Sequence, residues 1–435
     1  MARIFRILLI TSLLLAAFIT MKAQAASPSI DVLTIKGAIN PVLVDYVKRG
    51  IDQAEETGAS ALIIQMDTPG GLDTAMRDII QDIVNARVPV VVYVSPSGAR
   101  AASAGVFITM SAHVAVMAPN TAIGAASPVA MGAEGEQQMS ETMKDKVVND
   151  AAAYIRSIAE AHNRNMEWAE KAVREAVSAT EQEALELNVI DMVAPDLDTL
   201  VAQLHGRQVT MLDSSVVTLQ TQGATINYVD MKTIEGFLYT IADPNIAYIL
   251  LSLAMLGIMV EIFNPGLIFP GVVGAISLLL AFFSLGVLPV NYAGVLLIVL
   301  AFGLFVGEVL TTAFGLFTVG GVVSLVIGSM ILFKGGSPLF RVDPWLIATV
   351  TITISAASAF VVSRAIIAHR KQAKTGREEL IGKTAVVKVA LGPEGTVFYK
   401  GERWTAIVDK GRVEPGEEVL ITKTDGLTLY VVKKQ

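Results

Sequence analysis

The chain has 435 residues, 53% of them apolar and 17% charged, with a mean hydropathy of +0.58 and a formal charge of -7. Such a composition excludes a disordered chain and argues against one water-soluble globule, while the length allows roughly three domains. The lack of cysteine excludes disulfides and thiol chemistry, four scattered histidines give no basis for a metal centre, and the acidic balance disfavours nucleic acid as main partner.

Arg3 and Arg6 precede an apolar run from Ile7 to Ile19, and Ala23-Gln24-Ala25 supplies a small-x-small cleavage pattern. Residues 1–25 are expected to be an export signal, with a retained anchor as the rival reading. From Ile30 to about residue 200, strand-length apolar runs alternate with helix-period segments. The runs are Ile30 to Ile35, Ala61 to Met66, Pro89 to Val94 and His113 to Ala118; the helices are Pro41 to Glu56 and Thr74 to Ala86. This alternation predicts βαβ units on a mainly parallel sheet. Gln208 to Asp230 reads as short strands or a hairpin linker, and Met231 to Ala242 as an amphipathic helix at a membrane surface.

Two segments of this domain are suited to chemistry. Asp67 to Gly71, DTPGG, follows a buried-strand pattern, and its paired glycines can present backbone N–H groups to an oxyanion. Asp67 and Asp73 beside it read as turn and N-cap residues. In Pro96 to Gly105, PSGARAASAG, Ser103 lies among small residues that would let a substrate backbone approach. A serine nucleophile needs a base, yet His113 reads as a core or rim residue and His162 and His205 sit in polar surroundings. A desolvated lysine can take that role. Lys144 and Lys146 enter a long helix, two positions apart and so on opposite sides of it. The stripe Val147, Val148, Ala151, Tyr154, Ile155 and Ile158 would put Lys144 on the buried face, leaving Lys146 free to pair with Asp150.

Five apolar segments follow: Ile246 to Phe263, Leu267 to Leu288, Ala293 to Leu310, Phe314 to Phe333 and Trp345 to Ala368. Each approaches the ~20 residues that span a bilayer. Five spans after an exported domain put the C-terminus in the cytoplasm, in agreement with the basic run from His369 to Lys374, although Lys334 and Arg341 would then lie outside. Leu253-Ala254 precedes Glu261 by eight residues, as Leu300-Ala301 precedes Glu308, so two hairpins look derived from one unit. The glutamates fall at span ends, which favours interfacial or packing roles over ion transport.

Residues 376–435 form a small β domain by pattern. Runs from Lys383 to Val389, Trp404 to Val408, Glu418 to Thr422 and Thr428 to Val432 are separated by Gly-rich turns, which suggests an OB-like barrel of five strands. Ten basic and nine acidic residues there favour a protein partner over nucleic acid.

DTPGG, then PSGARAASAG, then KVVNDAAAYIRSIAE followed by Arg164-Asn165, in that order behind an export signal, resemble the long-form NfeD family. These are membrane-bound ClpP-class serine proteases that partner stomatin-like (SPFH) proteins, and the resemblance runs over nearly the whole chain. It implies a ClpP/crotonase-like spiral α/β domain over residues 26–230, a transmembrane block over 231–370 and an NfeD OB-like domain over 376–435. It also implies a Ser-Lys dyad, with Ser103 as nucleophile and Gly70 and Gly71 in the oxyanion loop. The family lysine stands before two apolar residues and an asparagine, which selects Lys146 against the stripe's preference for Lys144. His162-Asn163 stands where relatives often carry a glycine beside the arginine, a departure that touches a turn and leaves the dyad intact.

The expectation is therefore a membrane-anchored endopeptidase acting outside the cytoplasm on hydrophobic or membrane-proximal segments. It needs no cofactor and no metal, meets membrane lipid, a peptide substrate and a stomatin-like partner, and is expected to be a homo-oligomer. A non-catalytic scaffold for stomatin-like assemblies is the alternative. Crotonase-like acyl chemistry is disfavoured by export, and transport would rest on Glu261 and Glu308 alone.

Overall fold

The computed structural model describes residues 28–128, 141–311, 315–333, 338–370 and 380–434. The export signal, Lys334 and residues 371–374 of the basic run lie outside the described residues.

The first domain opens with β1 (Ser29–Lys36), α1 (Pro41–Thr57), β2 (Ala61–Asp67), α2 (Asp73–Asn85) and β3 (Val90–Val94). It continues through β4 (Arg100–Ala101), α3 (Ala104–Ser111), β5 (Val114–Met117), β6 (Ala122–Gly124), α4 (Glu141–Ala161) and α5 (Met166–Arg174). It closes with β7 (Ser178–Thr180), α6 (Glu181–Glu186), β8 (Met192–Val193), α7 (Leu197–Leu204), β9 (Gln208–Thr210), β10 (Val216–Thr218) and β11 (Thr225–Tyr228). Six strands form one parallel sheet in the order β11-β1-β2-β3-β5-β8. Alternate residues of each strand feed opposite cores: Leu62, Ile64, Val92 and Met117 point to one, and Ile63, Val91, Tyr93 and Val116 to the other. Burial on both faces explains why the strands read as continuous apolar runs.

This is the ClpP/crotonase-like spiral that the resemblance implies. A second, three-stranded sheet, β4-β6-β7, stands beside the first and carries the chain from β4 into α3. The stretch read as a linker divides in two. Strands β9 and β10 do form a hairpin, but β11 returns to the main sheet and pairs in parallel with β1, Ser29 opposite Thr225. Its exposed outer side hid this from the pattern, since an edge strand packed on one side lacks a continuous apolar run.

The helix α8 (Thr233–Ile241) leads into the membrane block, α9 (Pro244–Phe263), α10 (Ile268–Val287), α11 (Tyr292–Leu310), α12 (Leu316–Met330) and α13 (Pro344–Arg370). Two residues, Ala242 and Asp243, separate α8 from α9, and the Asp243 carboxylate caps α9 by accepting from the N–H groups of Asn245 and Ile246. The five expected segments are all helical, but among the described residues three, α9 to α11, are long and apolar enough to cross a membrane. The apolar stretches Leu316–Met330 and Pro344–Phe360 are shorter. Glycines let helix backbones meet in each hairpin: a methyl on Gly257 would sit 2.7 Å from Gly274 Cα, and one on Gly328 would sit 2.9 Å from the Gly294 carbonyl oxygen.

The tail forms a closed barrel from β12 (Thr384–Val389), β13 (Glu394–Tyr399), β14 (Glu402–Val408), β15 (Glu418–Asp425) and β16 (Thr428–Lys433). Their order is β12-β13-β14-β16-β15, with β14 and β16 in parallel as the closing pair. The strand β13 has no run of its own in the sequence, because Gly395 and Thr396 interrupt its apolar positions.

Candidate active site

The end of β2 and the end of β4 are stitched together by backbone hydrogen bonds. Thr68 N–H donates to the Arg100 carbonyl at 2.8 Å, and Ala102 N–H donates to the Thr68 carbonyl at 3.1 Å. Asp67 accepts from the Arg100 N–H at 3.1 Å, the turn role expected for it. The stitching brings the DTPGG loop against the serine. A methyl on Gly70 would lie 2.6 Å from Ser103 Cβ and 3.1 Å from its Oγ, so at this position only a glycine leaves the hydroxyl room. Gly70 also has φ +116°, and a methyl on Gly71 would lie 2.1 Å from the Ile39 carbonyl oxygen.

Ser103 caps the start of α3 with φ 52° and ψ -114°, a conformation that costs a non-glycine residue about 1–3 kcal/mol and is held only by its surroundings. Its N–H donates to the Ala125 carbonyl at 2.7 Å, while its hydroxyl makes no capping bond. The site thus holds a half-buried serine hydroxyl, without a hydrogen bond among the described residues, on a strained turn beside a glycine loop. The backbone N–H groups around the serine differ in their engagement. Gly70 N–H is engaged by the Thr68 hydroxyl at 3.0 Å. Gly71 N–H and the N–H of Ala104, the first residue of α3, meet no acceptor among the described residues. Ala104 had no signal in the sequence, because the group it presents is a backbone N–H at a helix start.

Lys144 and Lys146 both lie exposed on the first turns of α4, and neither is hydrogen-bonded to Ser103 among the described residues. The stripe argument fails for Lys144 because α4 starts beyond the edge of the core: Val147 and Val148 are half-buried and the first buried position is Ala151. Asp150 does not pair with Lys146. It is claimed by Arg77 of α2, whose guanidinium also bonds Asp73 at 2.9 Å and lies 4.4 Å from the Tyr154 ring centroid. Tyr154 in turn stacks on Phe107 of α3, centroids 6.1 Å apart. Helix α4 is thus clamped to α2, which starts at the glycine loop, and to α3, which starts at the serine.

Residues 29–229 match the NfeD1b N-terminal domain, 245–364 the NfeD integral membrane domain and 377–433 the NfeD-like C-terminal, partner-binding domain. The chain is 39% identical over 412 residues to membrane-bound protease PH1510 of Pyrococcus horikoshii, covering 93% of both chains. The chain belongs to the NfeD family. It is also 26% identical over 449 residues to membrane protein NfeD1b of Bacillus subtilis, covering 95% of this chain and 94% of that one. Among solved structures, the 1510-N membrane protease specific for a stomatin homolog from Pyrococcus horikoshii is 34% identical, covering 50% of this chain and all of the other, with a TM-score of 0.44. An alanine mutant of 1510-N in complex with a substrate peptide has the same identity, covers 50% of this chain and 98% of that one, and scores 0.46.

In this NfeD protein the histidines stand away from the serine. His113 and His162 meet edge to face at 6.1 Å, and the His113 Nδ1 accepts from the Val90 N–H. Burial, then the Arg164 cation, pushes both imidazoles down to about 4, so they are neutral near pH 7. His205 Nδ1 accepts from the N–H groups of Thr221 and Gln222 and holds a loop. Arg164 is almost wholly buried, donates to the Met110 carbonyl at the end of α3 and pairs with Asp191 at 2.7 Å. Asp191 is further held by Arg207 and by the Ala115 N–H. Arg164→Met is expected to cost about 1–3 kcal/mol, since it removes the buried donor of the Met110 carbonyl and leaves the half-buried Asp191 with Arg207 as its remaining cation. The check is the thermal midpoint of the full chain in detergent; a midpoint at the wild-type value would show the ion pair to be dispensable.

Within the membrane block, Glu261 folds back on its own turn. One carboxylate oxygen accepts from the Gly266 N–H at 3.3 Å and the other is buried beside Gly271 of α10. This placement suits the closing of a helical hairpin.

Proposed function

We propose that this protein is a membrane-anchored serine endopeptidase in which Ser103 is the nucleophile and Lys146 the general base. The observation that carries the reading is Ser103 itself: a hydroxyl with no hydrogen bond among the described residues, on a strained strand-to-helix turn in contact with a glycine loop. The amine of Lys146 takes the serine proton, the alkoxide attacks a peptide carbonyl, and the oxyanion is received by the N–H groups of Gly71, in the glycine loop, and of Ala104. The protonated lysine then releases its proton to the leaving amine, and water hydrolyses the acyl-enzyme. A lysine serves as base only where desolvation favours the free amine. Because Lys146 is exposed in the single chain, the substrate strand or a second copy of the chain supplies that cover.

Substrates are hydrophobic or membrane-proximal segments, since the site belongs to a domain joined to α9 by little more than α8. The protease domain lies outside the cytoplasm and the barrel inside, next to a stomatin-like partner. An odd number of spans gives that topology whether three or five helices cross. The tail's match to a partner-binding domain and the stomatin-specific activity named for PH1510-related structures support the partner. In right-side-out vesicles carrying the full chain, an impermeant hydrophobic peptide is expected to be cut by wild type and not by Ser103→Ala. Inverted vesicles should cut it only after detergent is added. Equal rates for wild type and Ser103→Ala would leave the scaffold reading in its place.

A further inference from the structure

The oxyanion loop is braced from behind by the chain that leaves β1. Ile39 N–H donates to the Gly70 carbonyl at 2.8 Å, and Leu72 N–H donates to the Ile39 carbonyl at 2.9 Å. Gly71 packs so closely on Ile39 that no side chain fits between them. The position of Gly70 and Gly71 beside Ser103 therefore follows the position of residues 36–39.

Those residues are in turn gripped from the membrane side. The Tyr239 hydroxyl, from α8, donates to the Lys36 carbonyl at 2.9 Å and lies 3.4 Å from the Ala38 carbonyl. Gly37, at φ +109°, makes the room: a methyl there would meet the Tyr239 oxygen at 2.6 Å. Helix α8 is fixed at both ends. Arg49 of α1 bonds Glu235 through two nitrogens at 2.7 and 2.8 Å, and Ser284 of α10 donates to the Ile241 carbonyl at 2.6 Å. Leu72, directly after the loop, packs against both the protease-domain core and the membrane-block core. Burial and the neighbouring Asp243 raise the Tyr239 phenol to about 12, which keeps it a donor at any working pH.

Resting on the serine-protease reading, we propose that Tyr239 is a positioning residue for the oxyanion loop, so that the membrane anchor sets the loop's catalytic geometry through α8. The hydroxyl touches no reacting atom. It fixes the Lys36–Ala38 turn, the turn fixes Ile39, and Ile39 fixes the glycines that face the serine. A loop displaced by even a fraction of an ångström weakens a donor whose stabilisation of a tetrahedral oxyanion depends on distance, while ground-state peptide binding is little changed.

The test compares wild type, Tyr239→Phe and Ser103→Ala as full chains in detergent or nanodiscs, on a fluorogenic hydrophobic peptide. Tyr239→Phe keeps the ring and loses only the donor. The expected result is kcat lowered about tenfold with KM within about twofold, an unchanged thermal midpoint, and unchanged affinity for the peptide when both proteins carry Ser103→Ala. Ser103-dependent hydrolysis with Tyr239→Phe at the wild-type kcat overturns the inference and leaves the protease reading standing. A fall in kcat matched by an equal fall in the folded fraction also overturns it, because Tyr239 would then be a stability residue. Wild type no faster than Ser103→Ala removes the protease reading and this inference with it.

Discussion

Replacing Lys146 by alanine is expected to lower kcat on the order of 10^3-fold, while Lys144→Ala stays within about threefold of wild type. The two side chains are about 200° apart around α4, so one substitution cannot imitate the other. What separates them is Arg77. It draws Asp150 and Tyr154 towards α2, and these residues lie four and eight positions after Lys146, on the same stripe of the helix. Lys146 thus continues the face turned to the element that begins at the glycine loop. Lys144 continues the line of Val148, Ala151 and Ile155, which has run out of core at that height. Lys146→Arg should fail to rescue, since a guanidinium stays charged and cannot accept the serine proton. The readout is kcat and KM on a hydrophobic peptide with all variants at matched folded fraction. Loss of activity in Lys144→Ala, or its retention in Lys146→Ala, would move the base elsewhere.

Much of the architecture was legible because the forces that set it act on periodicity. A parallel sheet buried on both faces writes continuous apolar runs, and the four core strands were placed within two residues at each end. The membrane helices announce themselves by hydropathy, although α12 stops at 15 residues where the apolar run is longer. Edge and interrupted strands were not legible: β11 buries one side only, and β13 is broken by glycine. At the site, DTPGG and Ser103 could be picked out because small residues at strand ends signal close approach. The engagement of Gly70 N–H by Thr68, the N–H that Ala104 presents at the start of α3 and the Arg77 clamp had no sequence signal. Each depends on which backbone group or side chain happens to arrive first in three dimensions. Lys144 shows the same limit from the other side, since a helical stripe says which way a residue points and not where the core ends.

Gly70→Ala is expected to abolish most of the activity, by 100-fold or more in kcat/KM, with a far smaller effect on the fold. Two penalties coincide there and must be separated. A side chain at φ +116° is strained whatever surrounds it, at about 1–3 kcal/mol, and the new methyl would sit 2.6 Å from Ser103 Cβ. Gly98 supplies the control, because it too has positive φ, at +89°, yet a methyl there meets nothing within 4 Å. Gly98→Ala should therefore lower the thermal midpoint by a similar few degrees and leave peptide hydrolysis near wild type. Relief of the Gly70 clash requires either the loop or Ser103 to withdraw, and each movement opens the distance between nucleophile and oxyanion donors. A Gly70→Ala protein with wild-type kcat/KM would show that the loop stands apart from the reacting centre. Loss of activity in Gly98→Ala equal to that in Gly70→Ala would assign the effect to backbone strain across the whole region instead of to the contact with Ser103.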